Sequence, residues 1–235
     1  MHRLALFVEG FTEVLFVERL ITEIAGKQNV IFEKKQIRGG SKAPRRVVTL
    51  EAVRQATHEQ FYVLIVDCGG DRQVKDRILQ EHESLTKKGF VKIFGLRDVR
   101  PDFLRADIPK LEAGLRKYVK TSLAPVEFIL AVMEIEAWFL AEHNHFHRID
   151  PTLTPAVITA SLGFNPATSD MSLRAEPAAD LDACYQLAGK RYMKGDPMTV
   201  EALDYAAVYL ELQDAIPYLN RLSDGIGDFI ALGKA

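Results

Sequence analysis

The sequence predicts an α/β fold, a mostly parallel sheet of about four to five strands flanked by helices, with a helical C-terminal subdomain. Three observations carry this. Short β-branched, apolar runs alternate with longer amphipathic ones from Arg3 to about Met133, the order that builds parallel sheets covered by helices. The chain has 235 residues and is 48% hydrophobic, enough to bury a sizeable core. From about Glu134 the texture turns Ala- and Leu-rich, broken by Pro151, Pro155, Pro166, Pro177, Pro197 and Pro217, with no further strand-like run. The division is expected at 142, giving an α/β domain over 1–142 and a helical part over 143–235.

The elements follow in order. "RLALFVE" reads as a buried strand, and Thr12 to Ala25 as a helix with Val14, Val17, Ile21 and Ile24 at helical spacing. "NVIFEKKQI" is a second strand and Pro44 to Ala56 a helix. "FYVLIVD", the most apolar run so far, is a third strand, and a charged helix runs from after "CGGD" to about Lys88. "FVKIFGLRD" is a fourth strand, Phe103 to Val119 a helix, "VEFILAVM" a fifth strand, and "EIEAWFLAEH" helical again.

Composition excludes several classes. Formal net charge is −2, so no global basic field announces nucleic acid and any such surface is local. The two cysteines, Cys68 and Cys184, have neither zinc-finger spacing nor the density of a secreted disulfide scaffold, which points to a reducing cytoplasm. No stretch has the uncharged apolar length of a membrane span, and Glu9 and Glu13 interrupt the N-terminus too early for a signal peptide. The expectation is a cytoplasmic protein with no membrane association.

Ligands of open parallel sheets bind outside the carboxyl ends of the strands. Acids fall at those ends: Glu9 after the first strand, Asp67 after the third, Asp98 after the fourth, and Glu134 and Glu136 after the fifth. Carboxylates gathered there would repel one another unless a divalent ion or basic side chains neutralise them. Glu13, one turn into the first helix, can point back toward the same edge as Glu9. Taken singly, each acid is an ordinary strand end or helix cap; the combination of "VEGFTE" and "VLIVDCGGD" favours a metal site.

Together, "FVEGFTE", "IVDCGGD" and "EIEAWFLAE" resemble the topoisomerase-primase (TOPRIM) catalytic domain family. The nearest likeness is to the nuclease domain of overcoming-lysogenization-defect (OLD) proteins and to small stand-alone bacterial TOPRIM-like families of unassigned function, over about residues 3–142. The resemblance implies Glu9, Glu13 and Asp67 as catalytic and metal-holding residues, with Asp98 and Glu136 as further candidate ligands. The family's second acid after the third strand is commonly the last residue of Asp-x-Asp; here that position is Gly69. Asp71, past the double glycine, either replaces it at the metal or caps the following helix. The implied chemistry is Mg²⁺- or Mn²⁺-assisted phosphodiester cleavage in DNA or RNA, in a bacterial anti-phage defence or DNA-maintenance setting with an ATPase partner. Arg72, Lys75, Arg97 and Arg100 are placed to face phosphate, and position does not choose among them. Homo-oligomerisation is left open.

The segment "KKQIRGGSKAPRRVV" carries Lys34, Lys35, Arg38, Lys42, Arg45 and Arg46 without an acid. Arg38, Lys42, Arg45 and Arg46, with Arg72 and Lys75, are the candidate nucleic-acid contacts, against the alternative of a solvated charged loop. Neither glycine-bearing turn has the spacing of a nucleoside triphosphate loop. His143, His145 and His147 lack a fourth zinc ligand and read as a solvated turn after a helix; Trp138 reads as core. Two other functional classes stay open: an Asp67-dependent phosphatase or phosphotransfer domain, and a non-catalytic TOPRIM-like module that docks to an ATPase.

Overall fold

The computed structural model describes residues 1–40, 43–53 and 59–233; Lys42 and the side chain of Asp71 lie outside that description. By internal contacts the chain divides into two units, one comprising Met1–Arg97, Pro109–Ile129 and Arg221–Ala235, the other Asp98–Ile108 and Leu130–Asn220. The units interleave along the sequence, whereas a single cut at 142 was expected.

The first unit is built on a sheet of six strands in the order β3-β2-β4-β1-β5-β6. Strand β1 (His2–Val8) pairs in parallel with β4 (Phe61–Asp67) and β5 (Phe90–Asp98). Leu4 to Val8 and Val63 to Asp67 are almost wholly buried, as continuous apolar strands must be when both faces of a sheet are covered. Strand β2 (Val30–Gly40) runs parallel to β4, and β3 (Ala43–Glu51) returns antiparallel along β2. The sheet closes on its other side with β6 (Val126–Ala131).

Strand β3 corrects the expectation of a helix over 44–56. Its described residues form a strand because Val47, Val48 and Thr49 are β-branched and disfavour the helix. Gly39, near the end of β2, has φ +97°, a conformation that favours glycine. This strand is also why the sheet has six members instead of four to five.

Helix α1 (Phe11–Ala25) buries Val14, Val17, Leu20 and Ile21 along one stripe and ends at Gly26, φ +80°. Helices α2 (Asp71–Lys87) and α3 (Ile108–Arg116) follow β4 and β5. A Cβ on Gly95 would meet Ile78 of α2 and Phe128 at 2.8 Å, so that helix packs close on one face of β5. On the other face, the part of α11 (Pro217–Ala231) that belongs to this unit lies so near the sheet that a Cβ on Gly225 would meet Phe94 at 2.5 Å. Phe229 packs against Phe61 with its ring tilted and centroids 5.3 Å apart.

The second unit holds α4 (Glu136–Ala141), α5 (Asn144–Ile149), α6 (Pro155–Leu162), α7 (Pro177–Gln186) and α8 (Pro197–Ala202). Short α9 (Tyr205–Ala207), a π turn (Val208–Leu212) and α10 (Gln213–Ala215) complete it. The prolines work as start signals: Pro155, Pro177 and Pro197 each open a helix, where the missing N–H costs nothing. Thr154 and Asp196 cap two of these helices with side-chain oxygens. No helix among the described residues is long and apolar enough to cross a membrane.

Candidate functional site

In the first unit, β1 hands over to α1 through Glu9 and Gly10, and Glu9, Thr12 and Glu13 are all buried. The tilt of helical side chains toward the N-terminus turns Glu13 back over the corner. A Cβ on Gly10 would lie 3.3 Å from Glu13 Oε2, so the carboxylate covers that glycine. Next to it, in register with Val8, β4 ends at Asp67, which is 2% exposed. The two exits are tied by the backbone: Cys68 N–H donates to Val8 O and Gly70 N–H to Glu9 O, both at 2.8 Å. Glu9, Glu13 and Asp67 therefore belong to one end of the same pair of central strands.

Asp67 is held by internal donors. Its Oδ1 accepts from Gly69 N–H at 2.9 Å and its Oδ2 from the Gln36 amide at 2.7 Å. Gln36 stands opposite Asp67 in the β2–β4 register, and its own Oε1 accepts from Arg38 Nε at 2.6 Å. Gln36 was not singled out from the sequence. The available signal was its place as the last polar residue before Ile37 in a strand beside the one that ends in Asp67.

The turn "CGGD" is shaped for glycine at position 69, where the TOPRIM resemblance leads one to expect a second acid. Gly69 has φ +72°, and a Cβ there would sit 3.1 Å from the Ile37 carbonyl oxygen. Backbone conformation and close approach both demand glycine. Helix α2 starts at Asp71 with no side-chain cap on its N-cap residue, Gly70. The proposed ligand role of Asp71 concerns a side chain outside the described residues. Cys68 is buried, and burial pushes its thiol well up, which disfavours the thiolate that a nucleophile needs.

The described residues of the basic segment lie on the two antiparallel strands β2 and β3. Arg38 and Arg46 are cross-strand partners, and Arg38, Arg45 and Arg46 are exposed. Lys34 instead pairs with Glu18 and Glu51 at 2.6 and 2.8 Å, and Lys35 with Glu33 at 2.9 Å. Arg72 is exposed at the start of α2, whereas Lys75 donates to the Gly114 carbonyl at 2.6 Å and lies over the Tyr118 ring. Arg97 is buried.

Asp98 and Glu136 lie in the second unit, in a charge cluster of their own. Lys194 Nζ lies 3.8 Å from Asp98, 3.7 Å from Glu134 and 3.4 Å from Glu136. Asp98 Oδ1 accepts from Ile135 N–H, Glu134 Oε2 from Ala178 N–H, and Glu136 Oε1 from Tyr192 Oη at 2.6 Å. Burial raises the Glu136 carboxyl above its ordinary range, against the pull of the Lys194 ammonium and the Tyr192 hydroxyl. A lysine thus supplies here the positive charge that clustered acids require. Lys194 and Tyr192, on a turn without strand or helix periodicity, gave no sequence signal. Arg100, in the same unit, pairs with Glu176 at 3.2 Å.

The histidines separate by environment. His145, expected in a solvated turn, is fully buried in the short helix α5 and packs against Phe146 and Tyr185. His143 and His147 line an open cleft of about 600 Å³ with Arg148 and Asp204. Trp138 is 3% exposed, as expected of a core residue.

Among the described residues, no three His, Cys, Asp or Glu side chains stand together in a way that could hold a metal ion. No family model, curated protein or solved structure matches the chain.

Proposed function

We propose that the first unit is a TOPRIM-like nuclease domain that cleaves phosphodiester bonds in nucleic acid with the help of Mg²⁺ or Mn²⁺. The observation that carries the reading is the burial of Glu9, Glu13 and Asp67 at the tied exits of two adjacent parallel strands. Carboxylate oxygens are the donors a hard divalent ion takes. As the structure stands these three side chains do not form a three-ligand set, so an ion held by Glu9, Glu13 and Asp67 would have to draw them together as it binds. Such an ion would supply polarisation of the phosphate and a water activated near neutral pH. The chain's own residues contribute the rest. The Gly69 and Gly70 N–H bonds fix Asp67 and the Glu9 backbone, and the exposed arginines of β2 and β3 offer contacts for phosphate. An anti-phage or DNA-maintenance role with an ATPase partner follows from the family resemblance and belongs to the same proposal.

The test is cleavage of labelled DNA and RNA with Mg²⁺ or Mn²⁺, comparing wild type with Glu9→Gln. We expect Glu9→Gln to abolish ion-dependent cleavage and to keep the wild-type melting profile. Equal cleavage by the two proteins would remove Glu9 from the mechanism. A second reading has its own observation: both Asp67 oxygens are already hydrogen-bonded and glycine replaces the second acid. On that reading the domain is a non-catalytic module, and it is favoured if nucleic acid binds without being cleaved at any ion concentration.

A further inference from the structure

The second unit contains a cavity of about 670 Å³ that the acid sites do not use. That volume lies in the range of small-molecule sites. Its apolar walls come from Trp138 of α4, Met171, Ile216 and Tyr218. Trp138 and Met171 are nearly buried and close the floor, whereas Ile216 and Tyr218 are more accessible, and the Tyr218 ring favours an aromatic guest through a ring–ring contact. The mouth carries hydroxyl residues and a single charged side chain, Asp170. Asp170 Oδ1 caps the turn by accepting from Ser172 N–H at 2.9 Å, and among the described residues Oδ2 has no protein partner. Among the described residues no cationic side chain lines the cavity, so an anionic guest would meet a like charge there. The π turn Val208–Leu212 contributes Leu212 to the wall, and such turns recur at functional sites.

From these features we propose that the cavity binds a small aromatic amine, with its ring against Tyr218, above the Trp138 floor, and its nitrogen donating to Asp170. The inference stands apart from the cleavage reading, and either can fail without the other.

Trp138 is the chain's one tryptophan, so emission excited at its absorption edge reports this cavity directly. The probe is phenethylamine, compared with phenethyl alcohol, which lacks the charge, n-butylamine, which lacks the ring, and phenylacetate, which reverses the charge. We expect a saturable emission change with phenethylamine, at an affinity about fivefold or more above each comparator, as a charge-assisted hydrogen bond allows. Asp170→Asn keeps a capping side chain and should reduce phenethylamine to the affinity of the alcohol. Ala215→Phe, at an exposed wall position, should remove the response to every probe. The proposal is overturned if phenethylamine gives no saturable change, if phenylacetate binds as well, or if either variant binds phenethylamine like the wild type.

Discussion

At Gly69 the lack of a side chain decides how the acid site is built. An acid placed there, as the TOPRIM resemblance suggests, looks like a gain of one ligand, but the position has φ +72° and a Cβ there would meet the Ile37 carbonyl at 3.1 Å. A left-handed conformation costs a non-glycine residue about 1–2 kcal/mol, and a carboxylate added beside that carbonyl would also repel it. Gly69→Asp should therefore lower the urea midpoint without raising Mn²⁺ affinity by calorimetry; tighter ion binding at unchanged stability would show that the turn accepts the acid. Gln36 is the complementary case, because it holds Asp67 Oδ2 at 2.7 Å. Gln36→Met keeps the bulk and removes the donor, leaving a buried acceptor unsatisfied at a cost of about 1–3 kcal/mol. Ligand binding to the folded state adds stability by mass action, so saturating Mn²⁺ should raise the melting temperature of Gln36→Met more than that of wild type. Equal shifts would separate Asp67 from the ion.

At the scale of elements, the strands that were legible were those whose partners did not matter. β1, β4 and β5 are buried on both faces, so apolar runs named them and placed Glu9, Asp67 and Asp98 at their ends. β3 was misread because almost all of it is exposed: Arg45, Arg46, Val47 and Leu50 face solvent, and what makes it a strand is the ladder to β2. Tertiary pairing of this kind leaves no periodicity in the segment itself. The Gln36–Asp67 bond and the Lys194 cluster were illegible for the same reason, since each joins residues far apart in sequence. The β2–β3 pair changes the nucleic-acid expectation too. Lys34 and Lys35 are neutralised by glutamates, which leaves Arg38, Arg45 and Arg46 as the exposed positive charges among its described residues. Replacing those three with Ala should weaken nucleic-acid binding and reduce the slope of log K against log salt by about one unit per lost phosphate contact. An unchanged slope would mean that the ribbon faces only solvent.

For the molecule as a whole, the dependence of stability on pH tests how its second unit is packed. Two neighbours there titrate against their habits. Burial pushes the Glu142 carboxyl from an ordinary 4.5 up to about 7, against the pull of N–H bonds from Asn144, His145 and Asp204. Burial drives the His145 imidazole from 6.5 down to about 4. For Glu142 the folded state keeps a proton that the unfolded chain loses, so its contribution to stability falls as pH rises from about 4.5 to about 7. For His145 the unfolded chain binds a proton that the folded state refuses, so its contribution grows as pH rises from about 4 to about 6.5. The two slopes oppose each other over most of that interval, and in the wild type they largely offset. Glu142→Gln removes the falling contribution and leaves the rising one. The variant should be less stable at every pH, because an amide cannot accept all three N–H bonds. Its urea midpoint should nonetheless climb from pH 4 to 6.5 more steeply than that of the wild type. Parallel profiles would show that Glu142 does not change protonation on unfolding in this range, and the pH response would then have to come from other groups.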